Sequence, residues 1–333
     1  TMRRGNPLRS LLLAALLLGT AVAAFDDASA QAKLPNRPIR LLVPFAPGGG
    51  VDVVARIVGQ KISEQTGQPV LVESKPGAGG ALAVNELMRS EPDGTTLLAT
   101  TNSHATLPAL SKLPWHPSND FTPIASIYST MLVMATNPAS ASRFKTFAEF
   151  LAYVRANPGK INWGSSGIGG PQHLPGAQFA KVAKLDMVHV PYRGNAPMVQ
   201  ALLQNDVQLT FDTPTLSLPH IVEGRLIALA VTGERRLAKL PDTPTVKESG
   251  IDYTADIRIF VLGPKGIPEP IQAALNKEFT VALDNKEVRE RLTGFGLDVA
   301  EARENTPANL KRYIDDFTAT YGKLIDEMGI KAE

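Results

Sequence analysis

Residues 39–43, Ile-Arg-Leu-Leu-Val, are apolar at four of five positions, without the alternation of a half-exposed strand. Such a short apolar run, leading into the glycine turn, predicts a strand over 39–45. After the turn at 44–52 the pattern changes. Val54, Val58 and Ile62 recur at four-residue spacing, with Val53 and Ile57 beside them. That period predicts a helix from Asp52 with one buried stripe, and Gly67 is placed to stop it. The pattern then repeats. Residues 70–73 predict a second strand, and a second helix buries Ala83, Val84, Leu87 and Met88. After the turn Pro92-Asp93-Gly94 comes a third strand, 95–99, ending in Thr100-Thr101-Asn102-Ser103. A β-α-β-α-β order implies parallel strands and right-handed crossovers. Both strand-to-helix turns and residues 100–103 then lie on one edge of one sheet, the edge at which open α/β sheets bind ligands.

Residues 104–125 carry Pro108, Pro114, Pro117 and Pro123 and read as turns. Residues 124–134 are extended and apolar, as expected of a crossing segment. A second alternating region follows. Helices are expected at 147–156, at 172–184 and from Pro197; strands are expected at 161–164, 187–190, 207–211 and 226–231. Residues 252–262 read as a returning strand, and 268–283, 286–292 and 307–328 as closing helices. The expected organisation is a leader at 1–30 and a first lobe at 31–130. A second lobe spans 131–252, and 253–333 returns to the first.

Composition narrows the function. Arg3, Arg4 and Arg9 precede a short run of leucine and alanine, and Ala28-Ser29-Ala30 offers a small-residue cleavage site. This is the pattern of a secretory signal. Its removal takes three arginines and two aspartates, so the net charge moves from +2 to +1. A near-neutral exported chain has no bulk field for nucleic acid or membrane. The chain has no cysteine. Disulfides, thiolate metal sites and a lipidated cysteine are thereby excluded, and the expected address is the bacterial periplasm.

The candidate chemistry sits in the glycine turns. Gly48-Gly49-Gly50 stands before one helix, with Asp52 read as its cap, and Gly77-Ala78-Gly79-Gly80 before the next. Residues 165–171 form a third such turn, in the second lobe. Free amides at a helix start, with the positive end of the dipole, favour an anion. Enzyme motifs fare poorly. Residues 77–82 lack the last glycine of G-x-G-x-x-G, and 164–168 miss G-x-S-x-G because position 168 is Ile. His104, His116, His173, His189 and His220 show no paired metal spacing. No cofactor and no metal are expected.

Residues 38–49, 52–56, 73–80 and 92–98, with 172–174, 188–194, Phe211-Asp212, 228–232 and 240–246, together resemble the Bug family. These are the periplasmic solute-binding proteins of tripartite tricarboxylate transporters. The resemblance covers nearly the whole exported chain. It implies an α/β, two-lobed (type II, Venus flytrap) periplasmic binding fold with a small organic carboxylate in the cleft, and transporter membrane subunits as partners of a monomer. It implies that one carboxylate is held by backbone groups of the two first-lobe turns, and the other end by a hydroxyl-bearing loop of the second lobe. The expected contacts on this chain are Phe45, Gly49, Gly50, Ala78, Gly79 and Ser103 from the first lobe, and Ser165, Gly169, Gly170 and Asp212 from the second; Ser165 reads equally as an ordinary loop hydroxyl, and Asp212 as a structural hydrogen-bond partner. Two positions depart from the family. Gly170 stands where a serine or threonine is usual, and Arg258 stands near a usual tryptophan; if it points into the cleft, Arg258 is a bidentate partner for a carboxylate. Two further readings stay open: a ligand-sensing subunit for a two-component system, and a cleft enzyme using Ser165 or Asp212.

Overall fold

The structure, a computed structural model, describes residues 34, 36–111 and 113–329. The expected leader at 1–30 lies outside the described residues.

The chain builds two sheets. The first has strand order β11-β4-β10-β3-β1-β2, made of β1 (Ile39–Val43), β2 (Val70–Ser74), β3 (Thr96–Thr101), β4 (Phe121–Met131), β10 (Asp256–Pro264) and β11 (Asp298–Val299). β1 pairs in parallel with β2 and β3, as the β-α-β-α-β reading requires. β10 runs antiparallel between β3 and β4. The second sheet has the order β7-β6-β8-β5-β9, from β5 (Val133–Thr136), β6 (Asn162–Ser165), β7 (Val188–Pro191), β8 (Leu209–Asp212) and β9 (Ile227–Val231).

Why β1 is apolar throughout is visible in its packing. Leu41 and Val43 join one core with Val54, Val58 and Ile62 of helix α1 (Gly50–Thr66) and with Phe279 of α8 (Glu269–Asp284) and Leu292 of α9 (Lys286–Gly294). Leu42, pointing the other way, joins Val84 and Leu87 of α2 (Ala81–Met88), Leu107 of α3 (Ser103–Ser111) and Ile314 of α10 (Pro307–Met328). Helices thus cover both faces of the first sheet. The second sheet is covered likewise. Phe150 and Phe179, from α4 (Phe147–Ala156) and α5 (His173–Ala183), pack on Trp163 and Phe211. Met198 and Leu202 of α6 (Asn195–Leu203) pack with Val133 and Val231 on the opposite face.

Two strands of chain join the lobes. Leu132, fully buried, separates β4 from β5, and residues 232–255 lead from β9 back to β10. The two crossings are laced at one residue. The Thr232 hydroxyl accepts from the Leu132 N–H (2.8 Å) and donates to the Ala255 carbonyl (2.6 Å).

Four expectations are corrected. Residues 103–111 are helical despite Pro108, and α7 (Pro214–Val222) contains Pro219 in a stretch without an expected element. In both, burial of an apolar face outweighs the lost backbone bond: Ala105, Leu107 and Leu110 in α3, Leu218 in α7. Met88 is 41 % exposed, because α2 ends there. Asp52 is not the cap of α1: Gly49 is, and Asp52 sits in the first turn.

Candidate functional site

At the first turn, Gly48 takes the left-handed conformation (φ 77°) and α1 begins at Gly50. The first bonded amide of the helix is Val53, to the Gly49 carbonyl at 2.9 Å. Among the described residues the amides of Gly50, Val51 and Asp52 make no protein hydrogen bond. Asp52 holds this turn in place. Its carboxylate accepts from the Gly48 N–H (3.0 Å), the Ser74 hydroxyl (3.0 Å) and the Arg56 guanidinium (2.9 Å). Burial alone would raise its pKa; Arg56, Gly48 and Ser74 outweigh that and keep it below the usual carboxylate range.

The second turn follows β2. Gly77, Ala78, Gly79 and Gly80 all have positive φ, a run that bends the backbone sharply before α2. The Ala78 and Gly79 amides are without a protein acceptor among the described residues. The two first-lobe turns thus present unbonded amides at the ends of adjacent parallel strands.

Opposite stands the third turn. The Ser165 hydroxyl pairs with His189 Nε2 at 2.7 Å and accepts from the Gly167 N–H. The Gly169 N–H donates to His173 Nδ1 at 3.2 Å. The His173 and His189 rings stack, with centroids 4.4 Å apart, and Trp163 stacks on His189 at 4.3 Å. Burial lowers the pKa of His173 to about 4 and of His189 to about 3, the latter aided by His173. Both rings are therefore neutral at pH 7, and each can brace the loop. A fourth turn is tied to the third, since Tyr192 and Gly194 donate their amides to the Ser165 and Ser166 carbonyls.

The turns meet across the cleft. A Cβ on Gly79 would stand 2.9 Å from the Ile168 carbonyl oxygen, and one on Gly194 3.0 Å from the Ala46 Cβ. One on Gly169 would touch Leu107 at 3.0 Å, and one on Gly50 would stand 3.0 Å from the Thr213 hydroxyl. The lobes are closed on each other, and glycine is what lets them close. Behind Gly50 the second lobe places Asp212, fully buried at the end of β8. Its Oδ1 accepts from Asn195 Nδ2 at 2.9 Å, while its Oδ2 has no partner. The Thr213 and Thr215 hydroxyls beside it, and the Tyr128 hydroxyl, are also buried without partners. Burial raises Asp212 to about 7, against the lowering by Asn195 and the Thr213 amide.

Of the expected contacts, Gly49, Gly50, Ala78, Gly79, Gly169 and Asp212 sit at these facing turns. The Phe45 side chain is buried in the core that β1 and α1 share, not at the facing turns. Ser103 opens α3 and pairs with the Thr101 hydroxyl at 2.7 Å. With Asn102, Gly170, Pro171, Asp256 and Tyr321 it lines a crevice of about 10 Å³, room for one water. At Gly170 a Cβ would stand 2.6 Å from the Ser166 hydroxyl, which is turned onto Gln172. Arg258 is not brought to the turns. Its guanidinium lies 3.9 Å over the Tyr313 ring of α10. Sequence reading missed Asn195 as a partner of Asp212, and missed Thr213, Thr215 and Tyr128. Thr213-Pro214 carried a usable signal, an N-cap residue with proline after it; Tyr128 carried none.

The family described as tripartite tricarboxylate transporter family receptor (TctC) matches residues 54–330. A protein of Cupriavidus necator, "UPF0065 protein in gbd 5'region", is 36 % identical over 299 residues, covering 89 % of this chain and 90 % of its own. The structure of the periplasmic binding protein BugD superposes with a TM-score of 0.84 at 31 % identity, covering 90 % of this chain and all of that one. MatC of Rhodopseudomonas palustris, solved with bound malate, superposes at 0.83 with 30 % identity, covering 87 % of this chain and 99 % of its own. With its two α/β lobes and its glycine turns at the cleft, the chain belongs to the tripartite tricarboxylate transporter family receptors.

Proposed function

We propose that the protein is a periplasmic solute-binding receptor, not an enzyme, that closes its lobes over a small organic carboxylate and hands it to the membrane subunits of a tripartite tricarboxylate-type transporter. The observation that carries this is the pairing of two turns. Gly50 to Asp52 and Ala78 to Gly79 leave amides unbonded at one sheet edge, in turns that the second lobe meets at Thr213 and Ile168. Each helix start contributes only ~0.3–1 kcal/mol to an anion, up to ~2 when partly buried. Affinity therefore depends on convergent amide bonds to the charged group, on the order of 1.5–3 kcal/mol each. Malate bound to MatC is a ligand of this class. In this reading Gly50, Ala78 and Gly79 hold one carboxylate, beside Gly49, whose amide closes the turn onto the Ala46 carbonyl, and the turn at 165–170 with Asp212 meets the other end. Ser165 is fully buried, which keeps a substrate carbonyl from reaching its hydroxyl.

A thermal-shift panel of succinate, malate, adipate and benzoate tests the reading. An acid at a hundred times its Kd adds about 2.7 kcal/mol, which raises Tm by roughly 3–5 °C in a chain of this size. Recovery of the acid unchanged after long incubation is expected as well. If no acid shifts Tm, the carboxylate reading fails; if product accumulates, an enzyme reading replaces it.

A further inference from the structure

We propose that Asp212 is a proton-carrying hydrogen-bond donor of the cleft, so that a dicarboxylate binds together with one proton. This rests on the carboxylate reading above and adds to it the charge of the ligand and the source of its second partner.

The case begins with what surrounds the carboxyl. Asp212 has no exposed surface. From α6 it receives the Asn195 amide on Oδ1, and the nearby Thr213 backbone N–H at the start of α7 favours its ionised form without forming a hydrogen bond to Oδ2. Its neighbour across the pair β5–β8 is Val133. From β4 the titratable group that faces it is the Tyr128 phenol, whose own pKa is pushed up by burial and by Asp212. Among the described residues no Arg, Lys or His pairs with it. An ionised carboxylate buried without a cation is costly, and such a group takes up a proton instead. A protonated Asp212 has one arrangement open to it. Oδ1 already accepts, so the proton sits on Oδ2, the oxygen with no partner.

The placement of this oxygen gives the proton a use. Asp212 stands between Asn195 and Thr213. The Asn195 Cβ lies 4.0 Å from where a Cβ of Gly49 would be, and the Thr213 hydroxyl lies at Gly50. The donor therefore adjoins the first-lobe amides that hold an anion in the closed state. The Thr213, Thr215 and Tyr128 hydroxyls, all unpartnered, add further donors. Such a set suits a ligand anionic at both ends, because the unbonded amides and the unpartnered hydroxyls can each donate. An ionised Asp212 would repel the same ligand. When the lobes part, water reaches the carboxyl and its proton leaves at neutral pH. Closing over a dianion recovers one proton from solvent. The alternative occupant, an acid whose far end is a hydroxyl or ammonium donor, would use Asp212 as a bare acceptor and take up no proton.

The test is isothermal titration of malate into the full exported chain at pH 7, in two buffers of different ionisation enthalpy. The best binder of the acid panel replaces malate should malate give no heat. Uptake of at least half a proton per malate is expected, with affinity falling up to tenfold per pH unit until the bound Asp212 ionises. Asp212→Asn keeps a donor at this place without a titrating group; it should take up no proton and lose the pH dependence, so that it binds malate more tightly than wild type at pH 8. Because the wild-type uptake is read without any variant, a misfolded Asp212→Asn does not block the test. Binding with no proton uptake by wild type overturns this proposal and leaves the carboxylate reading standing. Absence of heat with every acid overturns both.

Discussion

Gly79 and Gly67 share a backbone conformation and differ in what they face. Gly67 ends α1 at φ 71° with nothing within 4 Å of a would-be Cβ. Gly79 has φ 64°, but its Cβ would press on the Ile168 carbonyl oxygen of the other lobe at 2.9 Å. Alanine at either position meets the left-handed penalty, roughly 1–2 kcal/mol. Only at Gly79 does it also oppose closure, since a backbone oxygen cannot swing away. Gly67→Ala should therefore lower the urea midpoint and leave ligand affinity intact. Gly79→Ala should lower the midpoint by a similar amount and weaken binding at least tenfold, equivalent to about 1.4 kcal/mol. Titration of both variants with the same acid checks this; equal affinities would mean that the closed contact does not accompany binding. Residues of this kind were legible in the sequence, because a glycine run between strand and helix has few purposes. Asp212 was legible as a strand-end acid. Its isolation from any cation was not, since that depends on which side chains the fold fails to bring near.

At the level of elements, the strands and most helices could be read from periodicity because β1, β3 and β10 are covered on both faces and the helices bury one stripe. The two missed helices, α3 and α7, have proline inside. Local chemistry opposed the helix there, and for α3 contacts distant in sequence decided otherwise: Leu107 packs with Leu310 and Ile314 of α10 and Leu110 with Ile325, some two hundred residues on. The hinge was likewise only half legible. An extended segment at 124–134 announced one crossing, but nothing announced Thr232 as the residue that binds both. Its hydroxyl is fully buried and serves Leu132 and Ala255 together. Thr232→Val keeps the shape and leaves a buried N–H and a buried carbonyl short of a partner. A loss of about 1–3 kcal/mol is expected in urea unfolding. A change within about 0.5 kcal/mol, the scatter of indifferent sites, would show that water takes over both bonds and that the crossings are not tied.

For the whole molecule, the buried titratable groups of both lobes set a stability that depends on pH. His104 lies in the first-lobe core, stacked on Trp115 at 4.8 Å, with Nε2 bonded to the Pro117 carbonyl. Burial lowers it to about 4, offset in part by that bond. His173 and His189 brace the second-lobe turn and are lowered by burial to about 4 and about 3. Each of these neutral rings contributes stability that is present above the unfolded value near 6.5 and is lost as pH falls toward the folded one. Asp212 has the opposite sign. Its raised value gives stability that is fully present below the unfolded pKa near 3.8 and is lost as pH rises through about 7. Between pH 6.5 and 4 the unfolded chain thus binds three more protons on these histidines, and the folded chain one more on Asp212. The histidines win. Stability should fall on acidification through this window by on the order of 1–3 kcal/mol per pH unit, the lower part of that range allowing for the half-buried His189. Above pH 7 the curve should flatten. With the empty cleft closed, Asp212→Asn removes the one opposing proton, so its acid limb is steeper than wild type and its stability at pH 8 higher; with the ligand-free lobes parted, Asp212 is hydrated and the two proteins share one curve. Urea midpoints of the ligand-free protein across pH 4.5–8 measure both limbs. A wild-type curve flat from pH 6.5 to 4.5 would mean that the three rings reach water in solution, and with that the neutral brace of the ligand turn would fall as well.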